Sequence, residues 1–206
     1  ALFADTCIDA YHYGTVDRIS PEAPIPVFTQ QKEKIFMGMG LNVLNNLEKF
    51  ELEVEMYRAP THIWKHRYVD IKSKQQVLRV DEEDKCQPCS IDLRKDVPWE
   101  HLNAVVVSDY DKGYISLDMI QKLIVISAEY GIPIFIDTKK KDCLHLQNCY
   151  LKINEKEYTE AIQHTTSIAF ANQINNHNLH LIVTLGENGA FYRRDIGTFT
   201  YKAHKV

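Results

Sequence analysis

The chain changes its hydrophobic rhythm near residue 103. Before that point, apolar and polar residues alternate in extended stretches. "PIPVFTQ", "THIWKHRYVDI" and "KQQVLRVD" all read as half-exposed strands. After it, short continuous apolar runs each end on polar residues. "NAVVVSDY", "IPIFID", "YLKIN" and "LHLIVT" have the look of parallel strands buried on both faces. "ALFAD", at the start, is a buried strand of the same kind and ends on a carboxylate. Between these runs lie helical patterns: "NVLNNLEKF", "SLDMIQKLIVISAEYG" and "EKEYTEAIQ". The second has Ser116 placed as an N-cap and Gly131 just past its end. "LHLIVTLGENGAFYRR" reads as strand, glycine turn, strand.

From residue 103 the order is strand, helix, strand, strand, helix, strand. That order predicts an α/β fold with a central, mainly parallel sheet covered by helices. Ligands of such sheets bind outside the carboxyl ends of the strands. Four successive strand ends here carry "SDYDKG", "DTKKKD", "NEKE" and "TLGENG". One such end is an ordinary loop; four together indicate a site.

Composition narrows the class. With 206 residues, 45% hydrophobic and 25% charged, the chain can build one sizeable core. A net charge of -4 gives no basic arm for nucleic acid and no polybasic membrane patch. No apolar run approaches the roughly 18 residues of a membrane span, and no signal peptide opens the sequence. The five cysteines are odd in number and scattered, which argues against a disulfide framework and for the cytoplasm. "CQPC" has zinc-knuckle spacing but no second ligand pair, so an ordinary loop is the simpler reading.

The strand ends suit particular chemistry. Asn154 and Glu157 stand at a helix start, where an amide and a carboxylate can hold a hydrated Mg²⁺ through water. Asn154 can equally well cap that helix. Gly186 and Gly189 either admit a ligand to the backbone or only form a hairpin turn. Neither a G-x-x-x-x-G-K-S/T loop nor a G-x-G-x-x-G fingerprint is present.

Several segments resemble, in order, those of the ribokinase-like (PfkB) sugar kinases. The similarity is greater to the heptose-7-phosphate kinase branch, found alone or fused to a nucleotidyltransferase. "DTCIDAYHYGTVDRISPEAPIPVF" resembles that branch's opening segment, and its S-P-E-A-P run is the most branch-specific piece. "GMGLNVLNN" resembles the glycine-rich segment, and "KHRYVDIKSKQQVLRVDEE" a lid return strand. "SDYDKG", "DTKKKD", "KINEKE" and "TLGENGAF" resemble the wider family's later segments.

The resemblance implies a ribokinase-like fold with a small projecting β lid built from residues near 11–30 and 61–81. The proline-rich run would be the stiff connector into that lid. The implied activity is ATP-dependent phosphorylation of the anomeric hydroxyl of a heptose 7-phosphate, with Mg²⁺. The alternatives are a kinase for another sugar and a non-catalytic binding or dimerisation remnant. Asp9, Gly38 and Asn42 fall at positions that contact the sugar. Lys65, Arg67 and Arg79 are candidates for its phosphate, and solvated strand-face residues otherwise. Lys139, Lys152, Asn154, Glu157, Thr184, Gly186 and Gly189 would form the nucleotide site, with Asn154 and Glu157 on Mg²⁺ through water. A homodimer through the lid is implied as well.

Departures accompany the resemblance. Met39 stands where the family has a second glycine, and Thr138 and Ile153 replace two prolines. Only "ELEVEMYR" occupies a place where the family carries a strand-helix-strand section. The family's G-A-G-D segment, with its aspartate base and anion hole, does not occur, so the base is expected beyond Val206.

Overall fold

The computed structural model describes residues 1–61, 63–82, 86–164, 178–194 and 197–203. Its elements are β1 (Leu2–Ala4), β2 (Thr6–Ile19), β3 (Pro26–Met39), α1 (Gly40–Glu48), β4 (Met56–Arg58), β5 (Ile63–Asp70) and β6 (Gln76–Glu82). After these come β7 (Val105–Asp109), α2 (Leu117–Glu129), β8 (Ile134–Thr138), β9 (Cys149–Asn154), α3 (Glu155–His164), β10 (Leu179–Thr184), β11 (Ala190–Arg194) and β12 (Gly197–Tyr201).

Two sheets result. The larger has the order β12-β11-β10-β9-β8-β7-β1-β4. From β4 to β10 every pair is parallel, and β11 and β12 close the sequence antiparallel. The short "ELEVEMYR" link still supplies an edge strand, β4, beside β1.

Burial follows the pleat more closely than the apolar runs suggest. Val105, Val107, Ile134, Ile136, Leu151, Ile153, Leu181 and Val183 are buried and form one core with Ile120 and Leu123 of α2 and Ala161 of α3. Their neighbours Val106, Phe135, Tyr150, Lys152 and Ile182 lie on the other face and are half-buried or exposed. Those strands are therefore fully buried on one face only. Ser116 caps α2, its Oγ accepting the Met119 N–H at 3.0 Å, and Gly131 ends it at φ 66°.

The smaller sheet has the order β3-β2-β5-β6, with β2 and β5 parallel and the outer pairs antiparallel. Its strands span residues 6–39 and 63–82, so the segments expected as a lid, 11–30 and 61–81, fall within or beside them. The proline-rich run is not a connector at the base of this sheet. Residues 20–25 form the exposed far tip of the β2–β3 hairpin, where the Ser20 N–H donates to the Ile25 carbonyl at 2.9 Å. Pro21 and Pro24 donate no N–H, so they suit a tip that turns the chain rather than a paired strand.

Candidate functional site

The first group of predicted residues lies on one face of the small sheet. Asp9 of β2 is in register with Phe36 of β3 and Lys65 of β5, and Arg67 pairs across to Arg79 of β6. Period-two alternation therefore puts Cys7, Asp9, Tyr11, Lys65, Arg67, Arg79 and Asp81 on the same face. Arg67 forms a close ion pair with Asp9 and lies 5.2 Å from the Tyr11 ring centroid. Arg79 makes a two-pronged contact with Asp81 at 2.6 and 2.7 Å. Both arginines are thus paired with carboxylates, Arg67 half-buried and Arg79 exposed.

Gly38 faces this group from β3. A Cβ there would come within 2.4 Å of Asp9 Oδ2 and 2.5 Å of Cys7 Sγ. The glycine is required by space, since the carboxylate occupies the volume of its missing side chain. Burial pushes the adjacent Cys7 thiol up to about 11, with the Asp9 charge acting in the same direction. Asn42 lies exposed in the first turn of α1, and among the described residues no hydrogen bond joins it to Asp9.

The second group lies at the carboxyl ends of β8, β9 and β10. Thr184 is in register with Asn154. Asn154 and Glu157 form a reciprocal capping box: the Asn154 N–H donates to Glu157 Oε2 at 2.8 Å, and the Glu157 N–H donates to Asn154 Oδ1 at 2.9 Å. The other Glu157 oxygen is in close contact with Lys139 Nζ, and that ammonium lies 5.6 Å from the Tyr110 ring. Lys152 donates to Asp137 Oδ2 at 2.9 Å. Gly186 (φ 57°) and Gly189 (φ 96°) close the β10–β11 hairpin, where the Leu185 N–H donates to the Gly189 carbonyl at 2.7 Å. The capping and hairpin roles are thus both realised. As a Mg²⁺ site, these residues offer one carboxylate already engaged on both oxygens. They suit a metal held mostly by water and ligand phosphates, and not a direct protein cage. Among the described residues no cluster of three or more metal-ligating side chains occurs.

A third group was not singled out by residue, although "ALFAD" and "SDYDKG" pointed at it. Asp5 is fully buried between β1 and β2, and its Oδ2 accepts the N–H groups of Tyr110 (2.9 Å) and Lys112 (3.1 Å). Among the described residues, its other oxygen has no hydrogen-bond partner. Burial raises the Asp5 carboxyl above the usual range, against the lowering by those two N–H groups, and the nearby Asp109 raises it further. Asp109 accepts the Thr138 hydroxyl at 2.5 Å and the Asp111 N–H at 2.8 Å, with Lys140 Nζ 3.5 Å away. The signal was a carboxylate at each of two strand ends. Seeing them as a pair required knowing that β1 and β7 are neighbours.

A cavity of about 610 Å³ lies between residues 89–94 and α2, away from these groups. One of about 190 Å³ reaches Asp137 and Lys152 across the open sheet face. The convergence of charged and glycine positions at the strand ends is the stronger indication, because a ligand of this fold class enters there.

Comparison with known proteins follows the same lines. The main sheet, its helices and the separate four-stranded sheet superpose on solved kinases. Against the phosphofructokinase-2 of Escherichia coli, solved with fructose-6-phosphate, the TM-score is 0.66 at 15% identity, covering 100% of this chain and 80% of that one. Against a ribokinase from Thermotoga maritima it is 0.58 at 13% identity, with 100% and 77% covered. The fold is ribokinase-like. In sequence the chain is 31% identical over 191 residues to the bifunctional protein HldE of Nitratiruptor, covering 78% of this chain and 41% of the relative. It is 28% identical over 229 residues to HldE of Helicobacter pylori, covering 91% and 49%. The chain thus spans about half the length, or less, of these HldE relatives. No family model matches the sequence. The ribokinase-like resemblance read from the motifs is therefore met independently by sequence relatives and by fold.

Proposed function

We propose that this chain is the sugar- and nucleotide-binding part of a carbohydrate kinase, with a heptose 7-phosphate as acceptor and ATP as donor. The observation that carries the proposal is the Asp9–Gly38 juxtaposition with Lys65, Arg67 and Arg79 on one face of the small sheet. In this reading that sheet is the lid. Asp9 accepts protons from sugar hydroxyls, and Arg67 moves between Asp9 and the incoming sugar phosphate. A guanidinium suits that exchange because its fork geometry matches carboxylate and phosphate alike.

The nucleotide lies along Lys139, Lys152, Asn154, Thr184, Gly186 and Gly189. Asn154 and Glu157 would hold a Mg²⁺ through water, and such a metal would supply charge neutralisation at the transferring phosphoryl group. The general base and the anion hole are to be sought outside the described residues. The opposite face of the lid exposes Ile35, Met37, Leu78 and Val80, which supports pairing with a second copy there. No helix among the described residues is long and apolar enough to cross a membrane; the cytoplasm is the proposed location.

The test is a phosphoryl-transfer assay with ATP and Mg²⁺ on a panel of heptose 7-phosphate, fructose 6-phosphate and ribose, using the longest natural form of the chain. Selective turnover of the heptose is expected. Selective turnover of another sugar would favour the second kinase reading, for which Met39, held at φ 52° beside Gly38, is the motivating residue. Absence of both turnover and binding across the panel would overturn the proposal.

A further inference from the structure

The face of the small sheet turned away from Asp9 carries a row of four ionisable side chains, one from each strand. His12 of β2 and His66 of β5 approach at 2.8 Å between Nε2 and Nδ1. Outside them, Glu33 of β3 lies 3.5 Å from His12 Nδ1, and Glu82 of β6 lies 3.5 Å from His66 Nε2. The rings are enclosed by aromatic neighbours. Tyr68 stacks on His12 at 4.6 Å, and Trp64 on His66 at 5.7 Å. The His12 side chain is 9% exposed and that of His66 20% exposed, whereas in the single chain those of Glu33 and Glu82 are 43% and 59% exposed. His12 Nδ1 is buried and, among the described residues, has no hydrogen-bond partner.

Counting protons shows what this row can do. Two neutral imidazoles carry two N–H protons on four ring nitrogens. One proton must lie in the 2.8 Å contact, since two facing lone pairs repel. The single N–H left over can serve only one of the two glutamates, and the other carboxylate then faces a bare nitrogen. A third proton, taken from solvent, completes the row: each outer nitrogen donates to its carboxylate and the central bond is kept. A fourth forces two N–H groups into the same contact and breaks it, with two like charges side by side. The other titratable groups facing the row are the Tyr68 phenol and, further along β5, Asp70. The Asp70 carboxylate is already engaged by the N–H groups of Val16 and Ser73.

We infer that Glu33, His12, His66 and Glu82 form a proton-operated clasp across the small sheet, complete with one added proton and broken by a second. The clasp makes the cohesion of this sheet, and hence the placing of Asp9 and Arg67 on its other face, dependent on pH. The inference stands on the sheet alone and does not need the kinase reading.

Long-range ¹H–¹⁵N spectra of the imidazoles, recorded on the full chain across pH, test it directly. Both rings should respond together to the first proton. A second, separate and more acidic step should coincide with a fall in melting temperature. In His66→Gln, His12 should titrate in one step, and the acid fall in melting temperature should be diminished. Should that variant not fold, Glu33→Gln with Glu82→Gln, at two exposed positions, removes both outer carboxylates. The joint response of the two rings should then be altered, since neither outer nitrogen faces a carboxylate. Two rings titrating independently, each in one step, with no response to the glutamine changes, would overturn the clasp.

Discussion

Replacing Gly38 by alanine tests the proposed sugar site with one methyl group. The new Cβ would stand 2.4 Å from Asp9 Oδ2, 2.5 Å from Cys7 Sγ and 3.3 Å from Asp9 Cγ. Ordinary contact begins near 3.4 Å, so the carboxylate must retreat by about 1 Å. Cys7 is 2% exposed and cannot yield toward solvent, so the displacement falls on Asp9, whose side chain is 21% exposed. That motion breaks the alignment with Arg67. Overpacking of this kind costs about 1–3 kcal/mol. At about 2–4 °C per kcal/mol for a chain of this length, the melting temperature should fall by about 2–12 °C. Loss of one hydrogen bond to a charged group, about 1.5–3 kcal/mol, should weaken sugar-phosphate binding by about one to two decades. Nucleotide binding should stay unchanged, because the strand ends of β8 to β10 are not touched. Calorimetric titration with each ligand, beside thermal melting, reads all three quantities. Gly131→Ala serves as the comparison: its φ of 66° makes alanine strained, but nothing lies within 4 Å, so stability alone should suffer. Unaltered sugar-phosphate affinity in Gly38→Ala, with Asp9 still paired to Arg67, would refute the reasoning.

Asp5→Asn should flatten part of the pH dependence of stability. The folded chain holds the Asp5 proton more tightly than the unfolded one, chiefly through burial, so stability falls as pH rises from the ordinary carboxylate value of about 3.9 through the raised folded value. Asparagine keeps the acceptor for Tyr110 and Lys112 without the buried charge; melting at neutral pH should hold or rise, and a drop of several degrees would contradict this. Burial also pushes the thiols of Cys143 and Cys149 up to about 11 and about 12. Iodoacetamide at neutral pH should therefore leave both, and Cys7, unlabelled until the chain is unfolded, as peptide mapping by mass spectrometry would record.

Sequence made some of this plain, and the reason differs from element to element. Ser116 and Gly131 mark the ends of α2 because caps are local chemistry, settled within four residues. The Asn154–Glu157 capping box is equally local, and only its competition with a ligand role needed coordinates. The strand-end segments were legible because each polar tip follows directly on its own apolar run. What could not be read were the pairings across distance. Arg67 meets Asp9, and His66 meets His12, only through the parallel register of β2 and β5, set by residues more than fifty positions apart. The proline run misled for a related reason: its rigidity is evident in sequence, but its height above the base depends on how far β2 and β3 stay paired. One-sided burial of the main sheet was hidden because Phe135, Tyr150 and Ile182 are apolar whether or not they are covered.

Asp5 is the single residue between the last position of β1 in one sheet and the first of β2 in the other. Its N–H donates to the Ser108 carbonyl at 3.1 Å, its own carbonyl accepts the Gly40 N–H at 2.9 Å, and its carboxylate grips the 110–112 turn. The chain leaves the small sheet at Met39 and enters α1 at Gly40, where a Cβ would strike Ala4 at 2.2 Å. The entry of the chain into the small sheet and its exit from it are therefore fastened to each other at one point. In mechanical terms this is a fulcrum and not a flexible strap: the long β2–β3 arm cannot swing without applying torque at Asp5. Through its backbone and carboxylate, that torque is delivered to the end of β7, the start of α1 and the turn that carries Tyr110 and Lys112.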